Sequence, residues 1–267
     1  MVRLAAVGDV HFGSDSVGLL RTHLDAARGE VDLLLLSGDL TRRGEPAEAR
    51  VLAAELRALD VPVVAVLGNH DHHGDAGPEV AAILADAGVQ LLEGSGTVVE
   101  LAGVRVGVAG VKGFGGGFAG ACATEFGEPE MKLFVATTRR SAESLRRALA
   151  ALECDLRIAL LHYSPVEGTL VGEHPGLWPF LGSYLLAEAV DGAGAHLALH
   201  GHAHAGCAAA VTPGGVPVWN VAQPVIRRPF ARIDLRPRSP QPALAAHREL
   251  KETCEWDSTS TTSPPRS

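Results

Sequence analysis

The chain has 267 residues, 46% of them hydrophobic and 20% charged, with 31 glycines and a formal net charge of −8 at pH 7. That balance suits one sizeable α/β domain rich in turns, and an acidic surplus without a run of Lys or Arg argues against gripping long nucleic acid. No apolar stretch approaches the roughly 18 residues needed to cross a bilayer, and Met1 to Val7 leads straight into an apolar run, so a cytoplasmic protein with no signal peptide and no membrane partner is expected.

In chain order, Arg3 to Val7 reads as a buried strand and is followed by Asp9-Val10-His11. Asp32 to Ser37 is a second such run and leads to Gly38-Asp39; Val61 to Leu67 is a third and leads to Gly68-Asn69-His70-Asp71. Between them, Pro46 to Leu59 and Pro78 to Ala87 carry apolar residues at helical spacing and open on Pro, whose missing N–H is harmless in a first turn. Thr97 to Leu101, a turn at Gly103 and Val104 to Val111 predict a hairpin.

Lys112 to Arg140, opening Lys-Gly-Phe-Gly-Gly-Gly-Phe, is the least regular stretch and is expected to arch over the site as a loop. Lys112, Phe114 and Phe118 are its candidates for contact with a base or phosphate, against the bland reading of a surface excursion. Ser141 to Leu152 predicts an amphipathic helix with Ser141 as its N-cap, then Asp155 to Leu161 a strand ending at His162. His174 to Phe180, with Trp178 between two prolines, reads as a second wall or as core filling. His196 to Leu199 predicts a strand before Gly201-His202-Ala203-His204, and β structure with a hairpin at Pro213-Gly214-Gly215 is expected from Cys207 to Leu235. Beyond Arg236 the composition turns to Pro, Ser, Thr and Arg, so residues 1–236 are expected to form the domain and 237–267 a largely disordered tail, with a short helix over Pro242–Glu255 as its one candidate element.

Cys122, Cys154, Cys207 and Cys254 lack Cys-x-x-Cys spacing and read as ordinary thiols. Five of the strand runs end at a carboxylate, amide or imidazole, where open α/β sheets bind their ligands. Two divalent cations a few ångströms apart repel each other, so a shared carboxylate normally bridges them while His, Asp and Asn complete each set. Asp39 is the natural bridge. Asp9 and His11, like His202 and His204, are two residues apart, so extended backbone would turn each pair to one side.

Asp9-x-His11, Gly38-Asp39, Gly68-Asn69-His70-Asp71, His162 and Gly201-His202-x-His204 together resemble the complete signature of the calcineurin-like metallophosphoesterases, over residues 3 to about 234. The resemblance implies a four-layer α-β-β-α sandwich of two mixed sheets flanked by helices, where periodicity alone supports only α/β with hairpins. It implies that Asp9, His11, Asp39 and His204 hold one metal, and that Asp39, Asn69, His162 and His202 hold the other. His70 would then touch the phosphate and assist the leaving group without binding metal, and Asp71 would either orient His70 or serve structure alone. Two-metal logic adds a bridging hydroxide as nucleophile, since cations bring a bound water's pKa from 15.7 toward roughly 7.

The mixed donors suit manganese, iron or zinc. Ser/Thr protein phosphatases of this family carry Gly-Asp-x-x-Asp-Arg-Gly, whereas here Gly38-Asp39-Leu40-Thr41-Arg42-Arg43-Gly44 places Arg42 at the second Asp. The chain therefore looks more like the small bacterial-type phosphodiesterases. The leading expectation is a phosphodiesterase or phosphatase acting on nucleotides or similar small phosphoesters; a phosphoprotein phosphatase and a non-catalytic scaffold are the alternatives. Of the remaining histidines, His72 and His73 read as exposed loop, His200 as turned away from the metals, and His23, His174, His196 and His247 as non-catalytic. Arg227 and Arg228 read as a solvated pair rather than a phosphate clamp.

Overall fold

The computed structural model describes residues 1–26, 29–57 and 59–237. Along the chain these form β1 (Val2–Val7), α1 (Arg21–Ala26), β2 (Leu33–Ser37), α2 (Pro46–Leu56), β3 (Val63–Val66), a 3₁₀ turn (His70–His72), α3 (Gly77–Asp86) and β4 (Val89–Leu91). The hairpin β5 (Ser95–Leu101) and β6 (Val104–Val111) follows, then the short pair β7 (Gly117–Phe118) and β8 (Ala121–Cys122), α4 (Pro129–Ala150) and β9 (Leu156–Leu161). The chain continues through α5 (Trp178–Leu181), α6 (Tyr184–Gly192), β10 (Leu197–His200), β11 (Ala209–Val211), β12 (Pro217–Asn220), α7 (Gln223–Ile226) and β13 (Ala231–Leu235).

One sheet has the order β13-β1-β2-β3-β4, with β13 antiparallel and the rest parallel; the other runs β11-β12-β10-β9-β6-β5, parallel except for the edge strands β11 and β5. Side chains alternate across each strand. On β2, Leu33 and Leu35 meet Ile158 and Leu160 of β9 between the sheets, while Leu34 and Leu36 pack outward on Leu52 of α2 and Leu84 of α3. On the far side, Ala159 and Leu161 of β9 meet Leu145 and Leu149 of α4 and Leu186 of α6. The result is the α-β-β-α sandwich of two mixed sheets flanked by helices. Central strands covered on both faces have no polar side to show, which is why they read as unbroken apolar runs. Each Leu so enclosed contributes about 2 kcal/mol through loss of water contact.

The sequence reading fails in one long element. Residues expected to form an irregular loop up to Arg140 instead contain β7, β8 and the opening turns of α4, which starts at Pro129 rather than Ser141. Glu128 is extended and Pro129 supplies the first helical position. The buried stripe Val135, Thr138, Ala142, Leu145 and Leu149 keeps helical spacing straight through Ser141, which is therefore mid-helix and not a cap. Thr138 hides the pattern: it is polar, yet buried, with its hydroxyl donating to the carbonyl oxygens of Gly115 and Phe134. Helix α6, capped by Ser183 accepting from the Leu185 amide, and strand β4 are further elements that periodicity did not predict.

Met1 to Pro237 form one compact unit. Cys122 and Cys154 are free thiols. Cys254, His247, the candidate helix over 242–255 and the tail lie outside the described residues. Among the described residues no helix is long and apolar enough to cross a membrane.

Candidate metal centre

Asp9 and His11 follow β1, Asp39 follows β2, Asn69 and His70 follow β3, His162 follows β9, and His202 and His204 follow β10. The carboxyl ends of five parallel strands thus deliver every candidate ligand to one place. Strand alternation is not what converges the pairs. Asp9, His11, Asp39 and His202 take left-handed backbone with φ of 57°, 43°, 50° and 69°, so Asp9-x-His11 and His202-x-His204 are coiled turns rather than extended ends. Left-handed conformations cost free energy in non-glycine residues and concentrate where a site is held in place. The backbone here aims the carboxylates and imidazoles inward.

Glycine makes room for that convergence at two points. A Cβ on Gly68 would overlap the carboxylate and amide of Asp39, and one on Gly201 would overlap the carboxylate of Asp9. Both motifs therefore need their Gly for close approach, not only for turning.

Three groups of side chains offer ligand atoms that all lie within 4.8 Å of one another: Asp9, His11 and His204; His11, Asp39 and His70; and Asp39, His162 and His202. Asp39 and His11 each belong to two groups, so the sets adjoin. Asp39 Oδ1 lies 3.3 Å from His162 Nε2 and Asp39 Oδ2 lies 3.9 Å from His11 Nε2. Asn69 Oδ1 stands 2.9 Å from His162 Nε2, placing the amide in the same set.

His162 tests whether a cation fits. Its Nδ1 is 2.9 Å from the Ser37 carbonyl, which can only accept, so Nδ1 is a donor. Its Nε2 faces the oxygens of Asn69 and Asp39 at 2.9 and 3.3 Å. An imidazole nitrogen, an amide oxygen and a carboxylate oxygen converging on one point are a donor set that suits a divalent cation. The carbonyl behind the ring fixes the tautomer that a metal ligand requires.

Burial sets the charge states of the surrounding imidazoles. His202 is pushed down to about 3 by burial and then by His162 beside it. Fully buried His200 is pushed down to about 4; its Nε2 meets the Thr169 hydroxyl at 2.8 Å and its Nδ1 the Gly201 carbonyl, so it faces away from the ligands. His204 moves upward, chiefly through its 2.8 Å hydrogen bond to Asp9 Oδ1. Burial opposes ionisation of Asp9, but His204 and His162 outweigh it and hold the carboxyl below its usual range.

His70 is half-exposed at the rim. Its ring meets the ring of His11 edge-on at 4.6 Å, and Nδ1 lies 2.8 Å from the Arg42 carbonyl, which orients it. Asp71 does not orient it. Its carboxylate accepts from the amides of Leu40, Thr41 and Gly68 and from the Thr41 hydroxyl, at 2.6 to 3.1 Å, and so ties the loop after β2 to the loop after β3. Asp71 positions the two loops that carry Asp39 and Asn69.

Tyr163 escaped the sequence reading. Its ring lies 4.3 Å from that of His202 and 5.6 Å from that of His162, and burial pushes its phenol up to about 12. The only sequence signal was its place directly after His162. Phe118 is buried against Leu170 and Ala203, with Trp178 beside it, and is not a surface for substrate. Phe114 packs on Phe134 and Tyr163, with the Lys112 ammonium 5.4 Å from its centroid. Arg42 turns outward to Asp15 at 2.9 Å, and Arg227 and Arg228 are exposed.

The sequence profile of the calcineurin-like phosphoesterases matches residues 2–206, which include all seven candidate ligands and His70. The chain belongs to this family. Among solved structures, phosphopantetheinyl hydrolase (PptH) from Mycobacterium tuberculosis superposes with a TM-score of 0.62 at 16% identity, over 89% of this chain and 98% of that one. GAP50, the anchor in the inner membrane complex of Plasmodium, superposes with a TM-score of 0.53 at 14% identity, over 84% of this chain and 72% of that one. At these identities the likeness concerns the fold. A search of curated protein sequences returns no match. As a member of this family the chain is a phosphoesterase with His and Asp groups able to bind metal.

Proposed function

We propose that this calcineurin-like phosphoesterase is a dinuclear enzyme that hydrolyses small phosphoesters, nucleotides among them. The observation that carries the reading is Asp39, one carboxylate shared by adjoining ligand sets. Asp9, His11, Asp39 and His204 would hold one divalent cation; Asp39, Asn69, His162 and His202 would hold the second. Bound there, manganese, iron or zinc supplies Lewis acidity to an attacking water and to the phosphoryl oxygens.

The protein's own groups do the rest. The Asn69 side-chain NH₂ would donate to a phosphoryl group bound beside it and neutralise its developing charge. The Arg42 carbonyl accepts from His70 Nδ1, so Nε2 is the atom left for substrate, and it donates to the departing oxygen when the ring carries both protons. Ser37 holds the His162 tautomer, and Asp71 keeps the Asp39 and Asn69 loops in register.

Arg42 in the place of the phosphoprotein phosphatases' second Asp points to small substrates over phosphoproteins. GAP50 is described as an anchor, so the fold does not by itself entail catalysis; retention here of seven ligands and His70 favours the enzyme. Turnover of bis(p-nitrophenyl) phosphate and p-nitrophenyl phosphate, with added manganese and after chelation, tests the reading. It predicts manganese-dependent release of nitrophenolate from at least one ester. Rates equal to the chelated control would reject it.

A further inference from the structure

The chain carries 20 arginines and three lysines, Lys112, Lys132 and Lys251. Lys112 stands at the metal centre. Parallel pairing of β6 with β9 sets Val111 opposite Leu161, so the next residue of each strand lies side by side: Lys112 beside His162. The Lys112 carbonyl accepts from the amides of both His162 and Tyr163 at 3.0 Å, which fixes its backbone to the ligand loop.

Its side chain is half-buried, with the ammonium 5.4 Å from the Phe114 centroid and 5.7 Å from that of Tyr163. Two aromatic faces hold a cation in place, yet they do not neutralise it. Among the described residues no carboxylate oxygen lies within 4 Å of this ammonium. Glu93 spends Oε2 on the Lys112 backbone amide at 3.0 Å. Burial disfavours the charge on Lys112, while Glu93 and Asp39 favour it from beyond 4 Å, and Lys112 in turn disfavours a charge on His72. A desolvated ammonium with no ion pair is incompletely compensated, and an anion bound beside the metal centre would complete it.

The ammonium is not among the side chains assigned above to the cations, which would hold the scissile phosphoryl group. Resting on the phosphoesterase reading above, we infer that Lys112 is a specificity residue that receives a second anionic group, a phosphoryl group adjoining the one cleaved. The substrate class is then a phosphoester carrying at least two phosphoryl groups, with Phe114 and Tyr163 holding the lysine in position to meet the second.

ADP and AMP differ by one phosphoryl group and serve as probes, each measured as a competitor of bis(p-nitrophenyl) phosphate turnover by the manganese-loaded chain. The expected result is ADP bound about 10-fold or more tightly than AMP by the wild type, with that preference falling to about one in Lys112→Met and partly restored in Lys112→Arg. Equal affinities in the wild type overturn the inference, even where Lys112→Met fails to fold. So does a preference for ADP that survives in Lys112→Met. A wild type that leaves the reporter ester intact removes the hydrolase reading alone, and the ADP to AMP ratio is then read by titration calorimetry with the same variants and the same criteria.

Discussion

Asp39 is two-faced: Oδ1 looks toward His162, Oδ2 toward His11, and the His70 amide donates to Oδ1 at 2.8 Å. Replacing one of its oxygens by an amide nitrogen presents a donor where a cation is to sit. Asp39→Asn is therefore expected to lower kcat by about 10³-fold or more and to reduce bound manganese below two per chain, read by steady-state rates and elemental analysis. His70 differs in kind, since it stands at the rim. His70→Ala should lower kcat by about 10²- to 10³-fold while metal content stays at the wild-type level. A parallel loss of metal would make His70 a ligand, as its grouping with His11 and Asp39 allows.

At this scale the sequence was informative about which residues meet and poor about how. Spacing brought Asp9 and His11 together, but strand alternation was the wrong cause, because left-handed φ values are not written in a two-residue gap. Asp71 sat next to His70 in the chain and was naturally linked to it. Its actual partners, Leu40 and Thr41, lie about thirty residues upstream and become visible only when β2 and β3 are paired.

The loops after the strands are the elements on which the site depends, and they are held by few atoms. Asp71 joins two of them with four accepted hydrogen bonds. Asp71→Asn turns an NH₂ toward buried donors and is expected to cost about 3 kcal/mol of stability, measured by urea unfolding, with metal affinity falling as well. Gly68→Ala should cost about 1–3 kcal/mol and displace Asp39, seen as weakened manganese binding in calorimetry.

His200, at the end of β10, makes one loop sensitive to acid. Its folded value near 4 lies below the ordinary 6.5, so the neutral form is favoured by folding. That stability is fully present above pH 6.5 and is lost as pH falls toward 4, by about 3 kcal/mol at the end of the window. Thermal unfolding of the metal-free protein should show this loss, and His200→Gln should make it smaller, leaving the share that comes from His202. Among elements, the central strands were legible because burial on both faces leaves unbroken apolar runs. The first half of α4 was not, because Thr138 fills a core position through hydrogen bonds and periodicity counts it as polar.

For the whole molecule, the sheets supply the rigidity and the cations are expected to add to it. Asp9, Asp39 and four imidazoles converge from strands of both sheets, so cations bound there would link them. At free manganese about 100-fold above Kd, binding adds about 2.7 kcal/mol, and chelation should lower Tm by about 5–10 °C. The sandwich itself was implied by the motif resemblance, whereas alternation and turns alone did not distinguish two sheets from one. The central claim is that two cations share Asp39. Anomalous diffraction from crystals grown with manganese tests it most directly: two peaks are expected, one on each side of the Asp39 carboxylate, with Asn69, His162 and His202 around one and Asp9, His11 and His204 around the other. A single peak, or peaks away from Asp39, would contradict it.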